Sequence, residues 1–340
     1  MSKISLSICI PTYNFGFIIG ETLKSVIDQS SDDIEVVVVD GGSTDNTKDI
    51  VLGFQQLFPR ISYHRLDAKG GIDKDLARSV ELARGSYCWL MSSDDVFKSG
   101  AIQRVINEIK LGCDIYLCNR TECDRSLKPV RNSPWLLKEV EDNIFNLSTK
   151  EELINYFDKS QSIGALFSYM SSIIVCRDKW NGATYDERFT GSNFAHVFRL
   201  FSILQNGGTL KYIRDPLILC RGNNDSFLER GLFNRYLIDI DGYLLLAAQL
   251  FSDDAVRRSF LAVMQREHKW YEFATLKILA PDRGAWNALE PRLFAYGYPH
   301  AQLFFVRLVT SSRFIYWVAR FFWKIPKMIM LLRERITERK

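Results

Sequence analysis

The sequence predicts an α/β protein with a doubly wound, mostly parallel sheet and a helical C-terminal region. Strand-like and helix-like segments alternate over the first 120 residues, which is the order of parallel sheets covered by helices on both faces. Two of the strand-like runs, 35–39 and 86–91, stop at turns rich in Asp, Gly and Ser. Because ligands bind outside the carboxyl ends of the strands in such sheets, these turns predict one ligand site at one edge.

Apolar runs predict the strands of the first half, and apolar residues at helical spacing predict the helices between them. The predicted strands cover residues 4–10, 35–39, 61–64, 86–91 and 114–118. The predicted helices lie near residues 17–29, 44–57, 72–83 and 100–110. Ser43 or Thr44 can cap the second of these helices, and Gly85 ends the third.

The second half is less regular. Residues 120–165 show no clear period, which predicts loops and one helix crossing the site. A returning strand is predicted at 173–176, a helix at 194–204 and strand pieces at 210–219. From residue 227 onward the pattern is helical almost to the end.

Composition indicates a folded globular chain. The sequence has 340 residues, 47% of them hydrophobic and 25% charged, which excludes a disordered protein. None of the seven cysteines has Cys-x-x-Cys spacing, so we expect reduced thiols in the cytoplasm and neither disulfides nor a zinc site. We also expect no signal peptide and no transmembrane helix, because the first strand starts at once and no long uncharged apolar stretch occurs.

Basic charge is concentrated in the C-terminal tail, residues 301–340. This tail has nine Lys or Arg and two Glu, a net charge of +7 against +4 for the whole chain, so we expect no nucleic-acid-binding core. Arg313, Arg320, Lys324 and Lys327 share one helical face until Pro326 disturbs it, and aromatic and aliphatic residues fill much of the rest. Such a basic amphipathic helix is typical of contact with an anionic membrane surface, although docking of its apolar side on the catalytic domain would give the same pattern.

The first strand ends in a polar turn that can bind a nucleobase. Tyr13 can stack on the base and Thr12 can hydrogen-bond to it, or the segment can be an ordinary strand-to-helix turn. The residues predicted for this part of the site are Pro11, Thr12, Tyr13 and Asn14.

Asp40 ends a four-valine strand and precedes two glycines. A carboxylate there can accept from the N3–H of uracil or the N4 amine of cytosine, and Gly42 allows close backbone approach to a ligand. The alternative is that Asp40 only begins the turn before the next helix.

The third helix begins with glycines and charges. Asp73 can hold the sugar or the ribose and Lys74 a phosphate, since a helix start favours anions. A solvated capping turn is the alternative.

Asp94 and Asp95 are adjacent carboxylates at the end of a buried strand, where they repel each other unless a cation joins them. A hard ion such as Mg²⁺ or Mn²⁺, bound by these acids and by substrate phosphates, fits this arrangement. A helix N-cap is the alternative.

These motifs, in this order, resemble glycosyl transferase family 2. The segments that carry the resemblance are Pro-Thr-Tyr-Asn, Val-Val-Asp-Gly-Gly-Ser-Thr-Asp-Asn-Thr, Gly-Gly-Ile-Asp and Ser-Ser-Asp-Asp. The resemblance implies a Rossmann-like fold of the glycosyltransferase A type that binds a nucleoside-diphosphate sugar and a divalent cation. It implies a catalytic domain over residues 1–225, with a donor half (1–120) and an acceptor half (121–225), followed by a helical region over 226–340.

Two further segments, Cys-Trp-Leu-Met-Ser-Ser-Asp-Asp and Leu-Cys-Arg-Gly-Asn-Asn-Asp-Ser-Phe, are similar to O-antigen transferases of the abequosyltransferase type. This similarity implies CDP-abequose or a related dideoxyhexose as donor, a glycan acceptor such as one linked to undecaprenyl diphosphate, and a peripheral position on the cytoplasmic face of the inner membrane. Arg221, in the second segment, can clamp the diphosphate or form a surface turn.

The chain departs from the family pattern at two places. Ser92 replaces the first acid of the Asp-x-Asp-Asp turn, and the Glu-Asp pair that supplies the catalytic base is missing. His196 lies near the position of that pair and opposite the apolar face of its helix, so it is a candidate base. Asp186 and Glu187 are the other candidates, unless no protein group acts as base.

Two other classes of function fit the residues less well. A sugar nucleotidyltransferase would have a glycine-rich basic loop after the first strand, but residues 11–20 contain neither Lys nor Arg. A non-catalytic glycan-binding module would tolerate the loss of Asp94 and Asp95. The residues thus favour a transferase.

Overall fold

A computed structural model describes residues 4–224 and 226–312 and confirms the α/β class. The strands are β1 (Leu6–Thr12), β2 (Ile34–Asp40), β3 (Ile61–Arg65), β4 (Tyr87–Leu90), β5 (Val96–Phe97), β6 (Ile115–Cys123), β7 (Pro129–Ser133), β8 (Asn143–Asn146), β9 (Ile173–Cys176) and β10 (Thr209–Cys220). The α-helices are α1 (Ile19–Ile27), α2 (Thr47–Leu57), α3 (Ile72–Leu82), α4 (Ala101–Glu108), α5 (Lys150–Lys159), α6 (Arg177–Gly182), α7 (Ala195–Gln205), α8 (Leu232–Leu250), α9 (Asp254–Glu267), α10 (Glu272–Leu279), α11 (Arg283–Ala295) and α12 (His300–Val309). Short 3₁₀ turns cover Ile109–Leu111, Ile163–Leu166, Met170–Ser172, Glu187–Phe189 and Ser226–Arg230.

One sheet organises the catalytic part of the chain. Its strand order is β3-β2-β1-β4-β9-β6-β10-β5, with β7 paired to β6 and β8 to β10. The β3, β2, β1 and β4 strands are all parallel, as predicted. Beyond β4 the sheet is mixed, because β9 runs antiparallel to both β4 and β6.

Alternate side chains of the central strands point to the same face of the sheet and form a hydrophobic core there. Leu6, Ile8 and Ile10 of β1 face one side of the sheet and are fully buried. They form a core cluster with α1 and α4, and each such side chain contributes roughly 1.5–3 kcal/mol by leaving water. The rigid strands therefore hold their carboxyl ends in a fixed relation.

The prediction for residues 120–165 is incomplete. The helix is present as α5, but β7 and β8 also form there. β7 is mostly exposed, so no apolar run marks it. The predicted strand pieces at 210–219 are the single strand β10, with register shifts around Pro216.

The chain divides into two compact units. The first comprises the chain up to Ser226 together with Asp241–Val263, and the second comprises Phe227–Ile240 and the chain from Met264. All seven cysteines are free thiols. In the part of the chain that the structure describes, no helix is long and apolar enough to cross a bilayer.

Candidate active site

The predicted ligand edge is the carboxyl edge of β2, β1 and β4. Thr12 lies in register with Asp40, and Cys9 with Leu90, just before the Asp94 turn. Two strand spacings separate β2 from β4, which is roughly 10 Å across the sheet. The ends of β1 and β2 and the turn after β4 therefore meet at one edge of the sheet, as the sequence predicts.

Asp40 is fully buried and held in place by its neighbours. It accepts from the Ser43 backbone N–H (2.7 Å) and from the Tyr63 hydroxyl (2.5 Å). Burial and the neighbouring Asp40 raise the pKa of Tyr63 well above its usual value, so this hydroxyl stays a donor. Each Asp40 oxygen retains a second lone pair for a ligand.

The turn after β1 is fixed by hydrogen bonds to the turn after β2. The Asn14 backbone N–H donates to the Ser43 hydroxyl (2.8 Å), and the Asn14 side chain accepts from the Thr44 N–H (2.8 Å). Asn14 is therefore a bracing residue. Tyr13 presents its ring under the ammonium of Lys69, 4.2 Å from the ring centroid.

Gly42 adopts a φ of +83°, and a Cβ there would lie 3.2 Å from the Leu66 carbonyl oxygen. The turn itself therefore requires glycine at this position. Lys74 is exposed on the first turn of α3, where it remains a candidate for a phosphate.

Asp73 is turned toward the start of α7. It is 5% exposed and accepts from the backbone N–H groups of Gly191, Asn193 (both 2.9 Å) and Ala195 (3.1 Å). This geometry argues against the predicted sugar or ribose contact. Asp73 instead fixes the chain where the acceptor half begins α7.

Asp94 and Asp95 have different environments. Asp95 is 2% exposed and accepts from the hydroxyls of Tyr169 (2.5 Å) and Ser171 (2.6 Å) and from the Arg221 backbone N–H (3.1 Å). Burial, together with the adjacent Asp94, raises the pKa of Asp95 to about 7. The expectation that both acids bind an ion is therefore revised: Asp95 anchors the turn.

Asp94 is partly exposed and accepts from the Ser92 hydroxyl and from the Asn224 amide (2.8 Å). Among residues 4–224 and 226–312, no group of three or more His, Cys, Asp or Glu side chains converges on one point. A hard divalent cation still fits Asp94, because such ions are commonly held by one or two carboxylates plus substrate phosphates and water.

Arg221 does not face an open crevice, contrary to the predicted diphosphate clamp. It is 8% exposed and donates to the carbonyls of Asp94 (3.0 Å) and Arg125 (2.8 Å) and to the carboxylate of Glu21 (2.9 Å). Its role is to hold the acidic turn against α1.

His196 is buried, so the expectation that it lies away from the core is wrong. Its Nε2 lies 2.9 Å from the Phe167 carbonyl oxygen, because segment 163–172 covers this side of α7. A carbonyl only accepts, so Nε2 carries the hydrogen and Nδ1 keeps the lone pair, without a partner. Burial lowers the pKa of His196, so the ring is neutral at pH 7.

Asp186 and Glu187 lie at the surface of the turn before α7. Asp186 pairs with Arg188, which lowers the pKa of this carboxyl. Glu187 is exposed and accepts from the Thr190 hydroxyl (2.9 Å).

Sequence reasoning missed several residues that support the site. Tyr63 and Tyr169 hold Asp40 and Asp95, and Arg120 stacks 4.5 Å from the rings of Trp135 and Tyr169. The fold brings these residues together from positions far apart in the chain, so no local sequence pattern identifies them.

Comparisons with known proteins agree with this architecture. The model of the family "Glycosyl transferase family 2" matches residues 7–169. The chain is 36% identical over 273 residues to Abequosyltransferase RfbV of Salmonella typhimurium, covering 78% of this chain and 81% of that one. Over 37% of its length it is 28% identical to Glycosyltransferase GlyG of Streptococcus pneumoniae, with 42% of that chain covered.

Solved structures show the same fold at low sequence identity. The S. aureus TarS 1–349 structure aligns with a TM-score of 0.61 at 17% identity, over 86% of this chain and 81% of that one. The mannosyltransferase PcManGT of Pyrobaculum calidifontis, in complex with GDP-Man and Mn²⁺, aligns with a TM-score of 0.53 at 14% identity, over 91% and 88%.

Proposed function

The chain belongs to glycosyl transferase family 2 and is a glycosyltransferase, and we propose that it moves a sugar from a nucleoside diphosphate to a glycan acceptor in surface polysaccharide synthesis. The observation that carries the proposal is the meeting of Asp40 and the Asp94 turn at one sheet edge. CDP-abequose or a related dideoxyhexose is the donor that the 36% identity to an abequosyltransferase supports.

In this proposal the donor lies along the edge. Its base stacks on Tyr13 and hydrogen-bonds to Asp40, and its diphosphate reaches Asp94. A bound Mg²⁺ or Mn²⁺ would offset the negative charge of the departing nucleoside diphosphate. Asp95 and Arg221 keep Asp94 in place, since both are buried and hydrogen-bonded within the acidic turn.

The acceptor hydroxyl needs a group that removes its proton. His196 is the first candidate, because a neutral imidazole with a free lone pair at Nδ1 can accept a proton. Asp186 is the weaker candidate, since Arg188 stabilises its charged form and makes it a poor base. Glu187 is the third candidate, and this role requires that the exposed turn approach the acceptor.

An anionic membrane surface is the proposed partner of the C-terminal tail. This contact would place the enzyme on the cytoplasmic face of the inner membrane. There it would lie beside a lipid-linked acceptor such as an undecaprenyl-diphosphate glycan. Phe304, Phe305 and Leu308 of α12 are 59%, 51% and 49% exposed. Arg313, Arg320, Lys324 and the rest of the predicted amphipathic helix lie outside the described residues.

The membrane contact is tested with the full chain and vesicles containing phosphatidylglycerol. Changing Phe304 and Phe305 to Ser should reduce co-sedimentation severalfold, because aromatic side chains at an interface contribute buried area. Leu57→Ser, at a side chain that is 74% exposed on α2, is the matched control. Equal sedimentation of both variants and of the unchanged chain would remove α12 from the proposal.

The proposed transfer is tested by binding and turnover. Asp40→Asn and Asp94→Asn should each lower Mn²⁺-dependent affinity for the nucleoside diphosphate about tenfold or more, and should abolish sugar transfer to a membrane extract. Asp49→Asn, at an exposed acid on α2, is the control. If both site variants bind and transfer like the unchanged chain, the roles proposed for Asp40 and Asp94 fail, whereas an unchanged chain that transfers no sugar and shows no Mn²⁺-dependent nucleotide binding would favour a glycan-binding module.

A further inference from the structure

Asp75 is a buried acid in the first turn of α3 that the proposed function has not used. It is 3% exposed. Its carboxylate lies between two glycines: a Cβ on Gly41 would be 2.9 Å from Oδ2, and a Cβ on Gly70 would be 2.5 Å from Oδ1. Both glycines are therefore needed for the carboxylate to occupy this position.

One oxygen of this carboxylate has no hydrogen-bond partner. Asp75 Oδ1 is buried and unpaired, and so is the hydroxyl of Thr12, which lies in register with Asp40 at the end of β1. Burial raises the pKa of Asp75, while the nearby Gly70 N–H, which does not complete a hydrogen bond to Oδ1, and the Lys69 ammonium oppose the rise. A buried acceptor that stays unpaired costs free energy, which a ligand with a hydrogen-bond donor would offset.

Asp75 adjoins the place where the base binds in the proposed function. Gly41 directly follows Asp40, and Lys69, whose ammonium lies over the Tyr13 ring, has its Cα 3.5 Å from a Cβ built on Gly41. Two carboxylates thus flank the nucleobase region, one from β2 and one from α3. Asp40 already accepts two hydrogen bonds from groups of its own chain, whereas Oδ1 of Asp75 accepts none.

The bases differ in what they offer to a second carboxylate. Cytosine carries an amino group next to its ring nitrogen, and guanine carries an amino group beside an N–H. Uracil and thymine carry a carbonyl oxygen at position 4, which is an acceptor like the carboxylate and would be repelled. An amino group has two hydrogens and can donate to one acid with each.

We propose that Asp75, together with Asp40, selects a nucleoside diphosphate whose base carries an amino group on its pairing edge, cytosine or guanine, against uracil and thymine. This inference rests on the proposed function, because it assumes that the base lies at the end of β2. It identifies Asp75 as a specificity-determining residue.

The test is equilibrium binding of CDP, GDP, UDP and dTDP with Mn²⁺, measured by calorimetry. The unchanged chain should bind CDP or GDP at least about tenfold more tightly than UDP and dTDP, as one charge-assisted hydrogen bond implies. Comparing the CDP and GDP titrations shows whether the preferred base is cytosine or guanine. Asp75→Asn keeps the shape of the side chain but replaces one acceptor by an N–H₂ donor. It should therefore reduce or reverse the ratio of the affinity for CDP or GDP to the affinity for UDP and dTDP. Asp67→Asn, at an exposed acid of the same loop, should leave the ratio unchanged.

The outcomes separate the inference from the function. Tighter binding of UDP or dTDP by the unchanged chain, or an unaltered ratio in Asp75→Asn, would overturn the inference and leave the transferase proposal standing. Absence of binding for all four nucleotides would remove both. Because the ratio compares nucleotides on the same protein sample, partial unfolding of a variant does not change it. If Asp75→Asn does not fold at all, the unchanged chain alone still tests the preference.

Discussion

Arg221→Ala should destabilise the fold by about 3 kcal/mol. The side chain is 4% exposed and donates to the buried carbonyls of Asp94 and Arg125. A hydrogen bond from a charged donor contributes about 1.5–3 kcal/mol, and its loss leaves each carbonyl without that donor. The ion pair with Glu21 adds little, because the Glu21 side chain is 55% exposed and solvent screens it.

The assay is urea unfolding of the metal-free chain, followed by nucleoside-diphosphate binding in buffer where the variant is folded. Glu21→Gln is the matched control, and its unfolding free energy should change by less than about 1 kcal/mol. An Arg221→Ala chain that unfolds like the unchanged one but loses diphosphate affinity tenfold would refute the structural role. Arg221 would then contact phosphate directly, as the sequence alone suggested.

Three further results are expected. Burial and the adjacent Asp94 raise the pKa of Asp95 to about 7 in the folded chain, well above the usual value of an aspartate, so between about pH 4 and 7 the folded chain holds a proton that the unfolded chain has lost. The unfolding free energy should therefore fall as pH rises through this range in metal-free buffer, and its pH dependence should be flatter in Asp95→Asn. The same slope in both chains would contradict this expectation. His196→Gln should lower kcat at least about a hundredfold with little change in donor affinity if Nδ1 takes the acceptor proton, and near-normal turnover at saturating acceptor would exclude that role. Mn²⁺ alone should bind weakly through Asp94 and at least about tenfold more tightly with the nucleotide present, whereas equal affinity in calorimetry would indicate a site made by protein alone.

The sequence was sufficient to predict the central parallel strands of the donor half. Strands β1, β2 and β4 are buried on both faces, so their continuous apolar runs identify them without knowledge of their neighbours. Parallel order then places Asp40 and Asp94 at one edge. The same reasoning failed for β7, which is exposed and has no apolar pattern to detect.

Side-chain direction was harder to predict than position. Asp73 lies where predicted, at the start of α3, but its partners are N–H groups about 120 residues further along the chain. His196 was placed by helical spacing alone, which cannot show that segment 163–172 packs on the polar side of α7. In both cases a tertiary neighbour decides what the side chain does.

The unequal hydrogen bonding of the acids explains why one motif has two roles. A carboxylate that already accepts three bonds, as Asp95 does, holds its turn rigid and has little capacity left for an ion. Asp94 is partly exposed and depends on Asp95 and Arg221 to stay in place. Preorganisation of this kind avoids ordering costs at the moment of binding. In the proposed site, the buried acid would therefore contribute to ligand affinity without touching the ligand. Replacing Asp95 should therefore impair nucleotide binding through the position of Asp94, and not through a lost metal bond.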